Sequence, residues 1–91
     1  MNEAVEDSMA PESGAPQYRR TADGRHAYRI TAGGFTEIQR IGRRFIVHEV
    51  YARAYPEMVR IHQMLHDPHG RYLEITAAEW HLLWEQAHGG Q

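Results

Sequence analysis

Thr76-Ala77-Ala78-Glu79 constrains this chain more than any other stretch. Threonine followed three residues on by glutamate is a capping box, in which each residue satisfies an orphan N–H at a helix start. The helix it opens runs to about His88, where Gly89-Gly90 supplies the stop. Within it Ala77, Trp80, Leu83, Trp84 and Ala87 follow the i, i+3, i+4, i+7 spacing of one buried stripe. Two tryptophans on that stripe cover much of a small sheet, each contributing about 2–3 kcal/mol by burial.

The residues just before the helix read as its supporting strands. Asp67-Pro68-His69-Gly70 is a tight turn, with Pro68 pre-set for its φ and Gly70 free to take the left-handed conformation. Taken as a hairpin loop, it makes Met58–Leu65 and Arg71–Ile75 two strands, with Leu65 facing Leu73. Val59, Ile61, Leu65, Leu73 and Ile75 then share the core face, and Arg60, His62, Met64, His66, Tyr72 and Glu74 the open one. An opposing reading makes Pro56 the first residue of a helix through His66, because Met58, Ile61 and Leu65 also fit helical spacing.

Upstream, the chain reads as further strands. Asp23-Gly24, between Gln17–Ala22 and Arg25–Ile30, is a hairpin signal. Gly33-Gly34 is a break, after which Phe35–Ile41 and Arg43–Tyr51 are extended segments separated by Gly42 and rich in Phe, Ile, Val and Tyr. In the second of these Phe45 and Val47 lie opposite Ile46 and Val50, which suits a strand covered on both faces. The fold class is therefore α+β: a small antiparallel sheet of four or more strands packed on one C-terminal helix.

Ninety-one residues bound the chain to one small domain with a modest core, here residues 17–91. Residues 1–16 carry Glu3, Glu6, Asp7 and Glu12 with no basic residue, among Ala, Ser, Gly and Pro, and read as a disordered acidic tail. That segment lacks the basic and apolar character of a signal peptide, and no apolar run approaches the roughly 18 residues of a membrane span. A cytoplasmic protein is expected. Charge is uneven: residues 17–53 hold eight arginines against Asp23, Glu37 and Glu49.

Catalytic chemistry is poorly supplied. There is no cysteine or lysine, and the only serines, Ser8 and Ser13, lie in the tail. This removes cysteine and serine nucleophiles, a Schiff-base lysine and a phosphate-loop lysine from the folded part. Glu57, Glu74, Glu79 and Glu85 read as solvated or capping residues, so no enzyme and no cofactor is expected. Seven histidines raise the question of a metal. On a helix His62, His66 and His69 would share one face, but on a strand His62 and His66 stand about 13 Å apart at roughly 3.3 Å per residue, and no metal site is expected.

The run from Ile61 to Gly70, followed by Leu73-Glu74-Ile75-Thr76-Ala77-Ala78-Glu79-Trp80 and Leu83-Trp84-Glu85-Gln86, resembles the positive cofactor four family of transcriptional coactivators. That family has a D-P-x-G turn after its last long strand and a helix opening close to L-x-P-E-x-W-x-x-L. Ile41-Gly42-Arg43-Arg44 is similar to its I-G-K lead-in to the first strand, so the resemblance spans about residues 35–88. It implies four antiparallel strands with one C-terminal helix, a homodimer formed through the helices, and single-stranded nucleic acid bound in a basic sheet groove. The chain departs from the family in having arginine where the family is lysine-rich, and Leu65 where an aromatic residue contacts DNA.

Single-strand binding needs cations that track phosphate and flat side chains on which bases stack, and arginine serves both ends. The candidate residues are Arg43, Arg44, Arg53, Arg60 and His62, interleaved with Tyr51, Tyr55 and Tyr72. The expected function is a non-enzymatic module for single-stranded DNA or RNA in transcription or replication. The alternative is a small protein-interaction module or inhibitor, such as phages and mobile elements encode, that occludes a partner protein's surface. A contiguous basic face distinguishes the first from scattered solvated arginines.

Overall fold

The computed structural model describes residues 14–89. Strands β1 (Gln17–Thr21), β2 (His26–Thr31), β3 (Gly34–Ile41) and β4 (Arg44–Tyr51) form an antiparallel meander, followed by helix α1 (Tyr55–Leu65), strand β5 (Tyr72–Glu74) and helix α2 (Ala77–Gly89). The sheet order is β4-β3-β2-β1-β5, with every neighbouring pair antiparallel. The acidic segment of residues 1–16 lies, up to residue 13, outside the described residues.

Each hairpin follows from its turn residues. Gly24 (φ 76°) lets the chain turn between β1 and β2, and the Asp23 carboxylate pins that loop by accepting the Thr21 hydroxyl at 2.7 Å and the Arg25 N–H at 2.9 Å. The loop is therefore longer than the two residues of the Asp-Gly pair. Gly34 is needed for a different reason: β4 approaches so closely that any side chain there would strike the Val50 carbonyl oxygen.

Period-two alternation divides the sheet's side chains between two cores. Tyr28, Ile30 and Phe35 pack with Ile61 and Met64 of α1, flanked by Val50, Leu65 and Tyr72. Ala27, Ile38 and Ile75 pack with Trp80 of α2, flanked by Tyr18, Phe45, Val47, Leu83, Trp84 and Ala87. Each face of the sheet thus carries one helix, but β4 is not covered on both faces as its sequence suggested: Arg44, Ile46 and His48 stay exposed on the α1 side. Trp80, Leu83, Trp84 and Ala87 of the α2 stripe lie on the sheet as their spacing predicts, while Ala77 is exposed, and the capping box forms in full: Thr76 N–H donates to Glu79 Oε1 at 2.8 Å, and Glu79 N–H to Thr76 Oγ1 at 3.0 Å.

The strand expected over Met58–Leu65 is instead α1, so the sheet carries two helices rather than one. Its physical causes are local and tertiary together. Pro56 occupies the first turn, where its missing N–H is no loss, and Glu57 accepts the Ala54 N–H at 3.1 Å, which is half of a capping box. Met64 decides the matter: a strand would put it on the open face, but a helix sets it three residues from Ile61, and both are buried, Met64 at 1% exposure. The pairing of Leu65 with Leu73 accordingly does not occur, and Asp67-Pro68-His69-Gly70 joins α1 to β5. The turn chemistry itself survives, with Gly70 at φ 71° and the Asp67 carboxylate accepting the N–H groups of His69 at 3.0 Å and Arg71 at 2.6 Å.

Two outcomes follow from this packing. Met64→Ala should lose about 2–5 kcal/mol in urea unfolding, while the exposed Gln63→Ala stays within about 0.5 kcal/mol; equal effects would contradict the helical register. The Glu79 carboxyl is held below its ordinary value of 4.5, first by the Thr76 N–H and then by the Thr76 hydroxyl. A depressed folded pKa gives stability that is complete above the unfolded value and is lost as pH falls through the folded one. The melting temperature should therefore drop on acidification below about pH 4.5, less steeply in Glu79→Gln than in the parent.

Candidate functional site

The meander brings two turns to the same end of the sheet. His26 is paired with Gln39, and one step further out the Arg40 N–H donates to the Arg25 carbonyl at 2.7 Å. The β1–β2 turn, carrying Asp23 and Arg25, therefore lies beside the β3–β4 turn, carrying Gly42 and Arg43. Arg25, Arg40, Arg43 and Arg44 are all exposed there. Among the described residues none of the four guanidinium groups forms a salt bridge.

Asp23 is the acid on these two turns, and its carboxylate is committed to the loop. The Arg25 backbone N–H and then the Thr21 hydroxyl hold it below its ordinary value of 3.8. A shallow cavity of about 260 Å³ lies between the turns, lined by Asp23, Gly24, Arg25, Arg40 and Gly42. Beside it, a groove of about 520 Å³ runs between β4 and the end of α2, lined by Ile41, Arg43, Arg44, Phe45, Ile46, Gln86 and Ala87. Ile41 and Ile46 are 48% and 41% exposed, large apolar side chains set next to unpaired cations.

The residues singled out from sequence fall into separate places. Arg43 and Arg44 belong to the hairpin end. Tyr51 ends β4, roughly 25 Å away along an eight-residue strand, and Arg53 and Tyr55 follow it. There the Arg53 guanidinium lies over the exposed Tyr51 ring at 5.3 Å, and Tyr55 is exposed in the first turn of α1. His62 is exposed on α1, its ring 4.7 Å from that of His66, one helical turn on. Among the described residues no group of three or more metal-ligating side chains converges.

Arg60 and Tyr72 are drawn inward by the helix that replaced the expected strand. The Tyr72 ring packs edge-on against Tyr28 at 5.9 Å, so it is part of the α1 core rather than an open stacking platform. The Arg60 guanidinium lies over Phe35 at 5.1 Å and Tyr28 at 5.7 Å, donates to the Tyr28 hydroxyl at 3.3 Å, and reaches to 3.8 Å from Glu37. The Glu37 side chain is 9% exposed and also meets His26 Nδ1 at 2.5 Å. Burial, then the Glu37 charge, pushes the Tyr28 phenol up to about 12, so it stays neutral throughout the physiological range.

Arg25 and Arg40 are the members of the basic end that residue-by-residue reading misses. Their signal was topological: alternate turns of a meander lie at the same end, so the Asp23-Gly24 and Gly42-Arg43 turns had to be neighbours. Compared with known protein families, with curated proteins and with solved structures, the chain finds no match in any of the three.

Arg60 holds the sheet to α1 and stands away from the basic end. Arg60→Ala should lower stability by about 1–2 kcal/mol, through lost ring contacts and a weakened Glu37 network, while leaving the charge of the hairpin end intact. Unchanged thermal unfolding of this variant would refute that role.

Proposed function

We propose that the chain is a non-enzymatic nucleic-acid-binding module that engages single-stranded DNA or RNA at its hairpin end. The observation that carries this reading is the gathering of Arg25, Arg40, Arg43 and Arg44 on two adjacent turns with no salt bridge among the described residues. Guanidinium groups pair with phosphate through two parallel N–H donors and release counterions on binding. The exposed Ile41 and Ile46 beside them offer apolar surface to bases that are not stacked in a duplex. Tyr51, Arg53 and Tyr55 form a second patch within reach of a ligand that spans β4.

A protein-interaction module is the second reading. It is favoured by a different observation, the exposed Ile41 and Ile46, which share one face at the β3–β4 turn end of the sheet.

Fluorescence anisotropy with a labelled single-stranded oligonucleotide, titrated at several salt concentrations, tests the first reading. Arg43→Ala and Arg44→Ala should each weaken binding and lower the slope of log K against log salt by about 0.7 per lost phosphate contact. Arg53→Ala should matter only for oligonucleotides long enough to span the roughly 25 Å of β4. Absence of binding at low salt, where electrostatic affinity is greatest, would leave the protein-interaction reading.

A further inference from the structure

Strand β4 is the outer strand of the sheet, and it is eight residues long. Its hydrogen-bonding phase is fixed by the Ala52 N–H, which donates to the Gly33 carbonyl at 2.9 Å. Even-numbered residues therefore point their backbone groups at β3. Phe45, Val47 and Glu49 consequently direct their N–H and C=O groups outward from the edge, whereas the Tyr51 carbonyl accepts the Arg53 N–H at 2.9 Å. Edge strands that stay single are ordinarily blunted by charged side chains, proline, a bulge or shortness, and the charges of β4, Arg44 and Glu49, leave its centre, Phe45–Val47, without any. β4 has no lysine or proline, pairs with β3 in unbroken register from Arg44 to Tyr51, and presents Ile46 at 41% exposure.

The side chains of β4 say which strand fits. Positive charge sits at its start, Arg44 and the turn residue Arg43 just before it, and negative charge near its end, Glu49, which also accepts the Thr36 hydroxyl at 3.0 Å. An antiparallel second copy reverses that order and sets Arg43 of each copy beside Glu49 of the other. Centred on Ile46, the pairing puts Ile46 against Ile46, Phe45 against Val47, Arg44 against His48 and Arg43 against Glu49, every pair on a common face. Phe45 and Val47, which carry outward backbone groups, then exchange hydrogen bonds, and Ile46 meets its copy at the closer, non-hydrogen-bonded position.

We propose that this protein forms a two-fold homodimer by antiparallel β4–β4 pairing centred on Ile46, joining two five-stranded sheets into one of ten strands. The interface is self-complementary, as a two-fold contact requires. Arg44, Ile46 and His48 are exposed on the α1 side of β4, so the pairing also aligns these residues of both copies on one surface. The dimer does not depend on the nucleic-acid reading, since its backbone and side-chain contacts involve protein alone.

Sedimentation equilibrium of the full chain, without nucleic acid and across a wide concentration range, tests the proposal. The parent should tend to twice its 10.5 kDa monomer mass. Ile46→Lys, a change at an exposed position that sets two ammonium groups against each other on the two-fold axis, should raise the dissociation constant at least about tenfold. Arg43→Glu and Glu49→Arg should each weaken the dimer several-fold, and the double exchange Arg43→Glu with Glu49→Arg should restore it. Circular dichroism checks that each variant keeps its fold. A parent chain that remains monomeric, or a dimer indifferent to Ile46→Lys, would overturn the pairing, and a double exchange that fails to restore association would overturn its register.

Discussion

The central pair of strands, β2 and β3, is apolar on both faces, and the rest of the molecule answers to that. One face presents Tyr28, Ile30 and Phe35, and the other Ala27 and Ile38. Burying each large side chain is worth about 1.5–3 kcal/mol, so a single helix would forfeit one of the two cores. The chain meets the demand by leaving the sheet after β4, crossing one face as α1, adding β5 beside β1, and crossing the other face as α2. Arg60 completes the first crossing by spreading its guanidinium over Phe35 and Tyr28 while facing the buried Glu37. A cation at that position can be half-buried because its flat faces meet rings and its edge meets an acid.

Local chemistry was legible wherever a residue acts on its immediate neighbours. The Thr76–Glu79 box, the Gly42 turn and the left-handed Gly70 all depend on contacts within a few positions and stand as the sequence implies, and the Asp23-Gly24 hairpin forms too, with a longer loop. Residues 55–65 were ambiguous because Ile61 and Leu65 satisfy both the two-residue and the helical period. What distinguishes the two is the burial of Met64, which requires the opposite sheet face to exist first. The error then propagated in a regular way. A strand would have turned Arg60 and Tyr72 toward solvent, whereas the helix turns Arg60 onto Tyr28 and lets Tyr72 close the same core.

The candidate site divided along the same line. Arg43 and Arg44 were readable because they flank a glycine turn, which is exposed whatever the rest of the chain does. Arg25 and Arg40 are separated from them in sequence, and only the pairing of β2 with β3 draws them to the same end. Charge clustering in a meander is thus a property of topology more than of local composition. The even spread of arginine through residues 17–53 concealed it.

Electrostatics gives the hairpin end its persistence. A carboxylate among four arginines would ordinarily neutralise one of them, but Asp23 Oδ1 already accepts both the Arg25 N–H and the Thr21 hydroxyl, and those hydrogen bonds fix the turn and the carboxylate's position in it. Swinging Asp23 onto a guanidinium would sacrifice both. The acid is thereby retained as a structural element, while the surrounding positive field extends over the Debye length of about 8–10 Å at ordinary ionic strength. Glu37, the nearest acid along β3, is withdrawn from that end by burial and by its engagement with His26 and Arg60. Asp23 and Glu37 are thus both held by the fold, and among the described residues neither forms a salt bridge with Arg25, Arg40, Arg43 or Arg44.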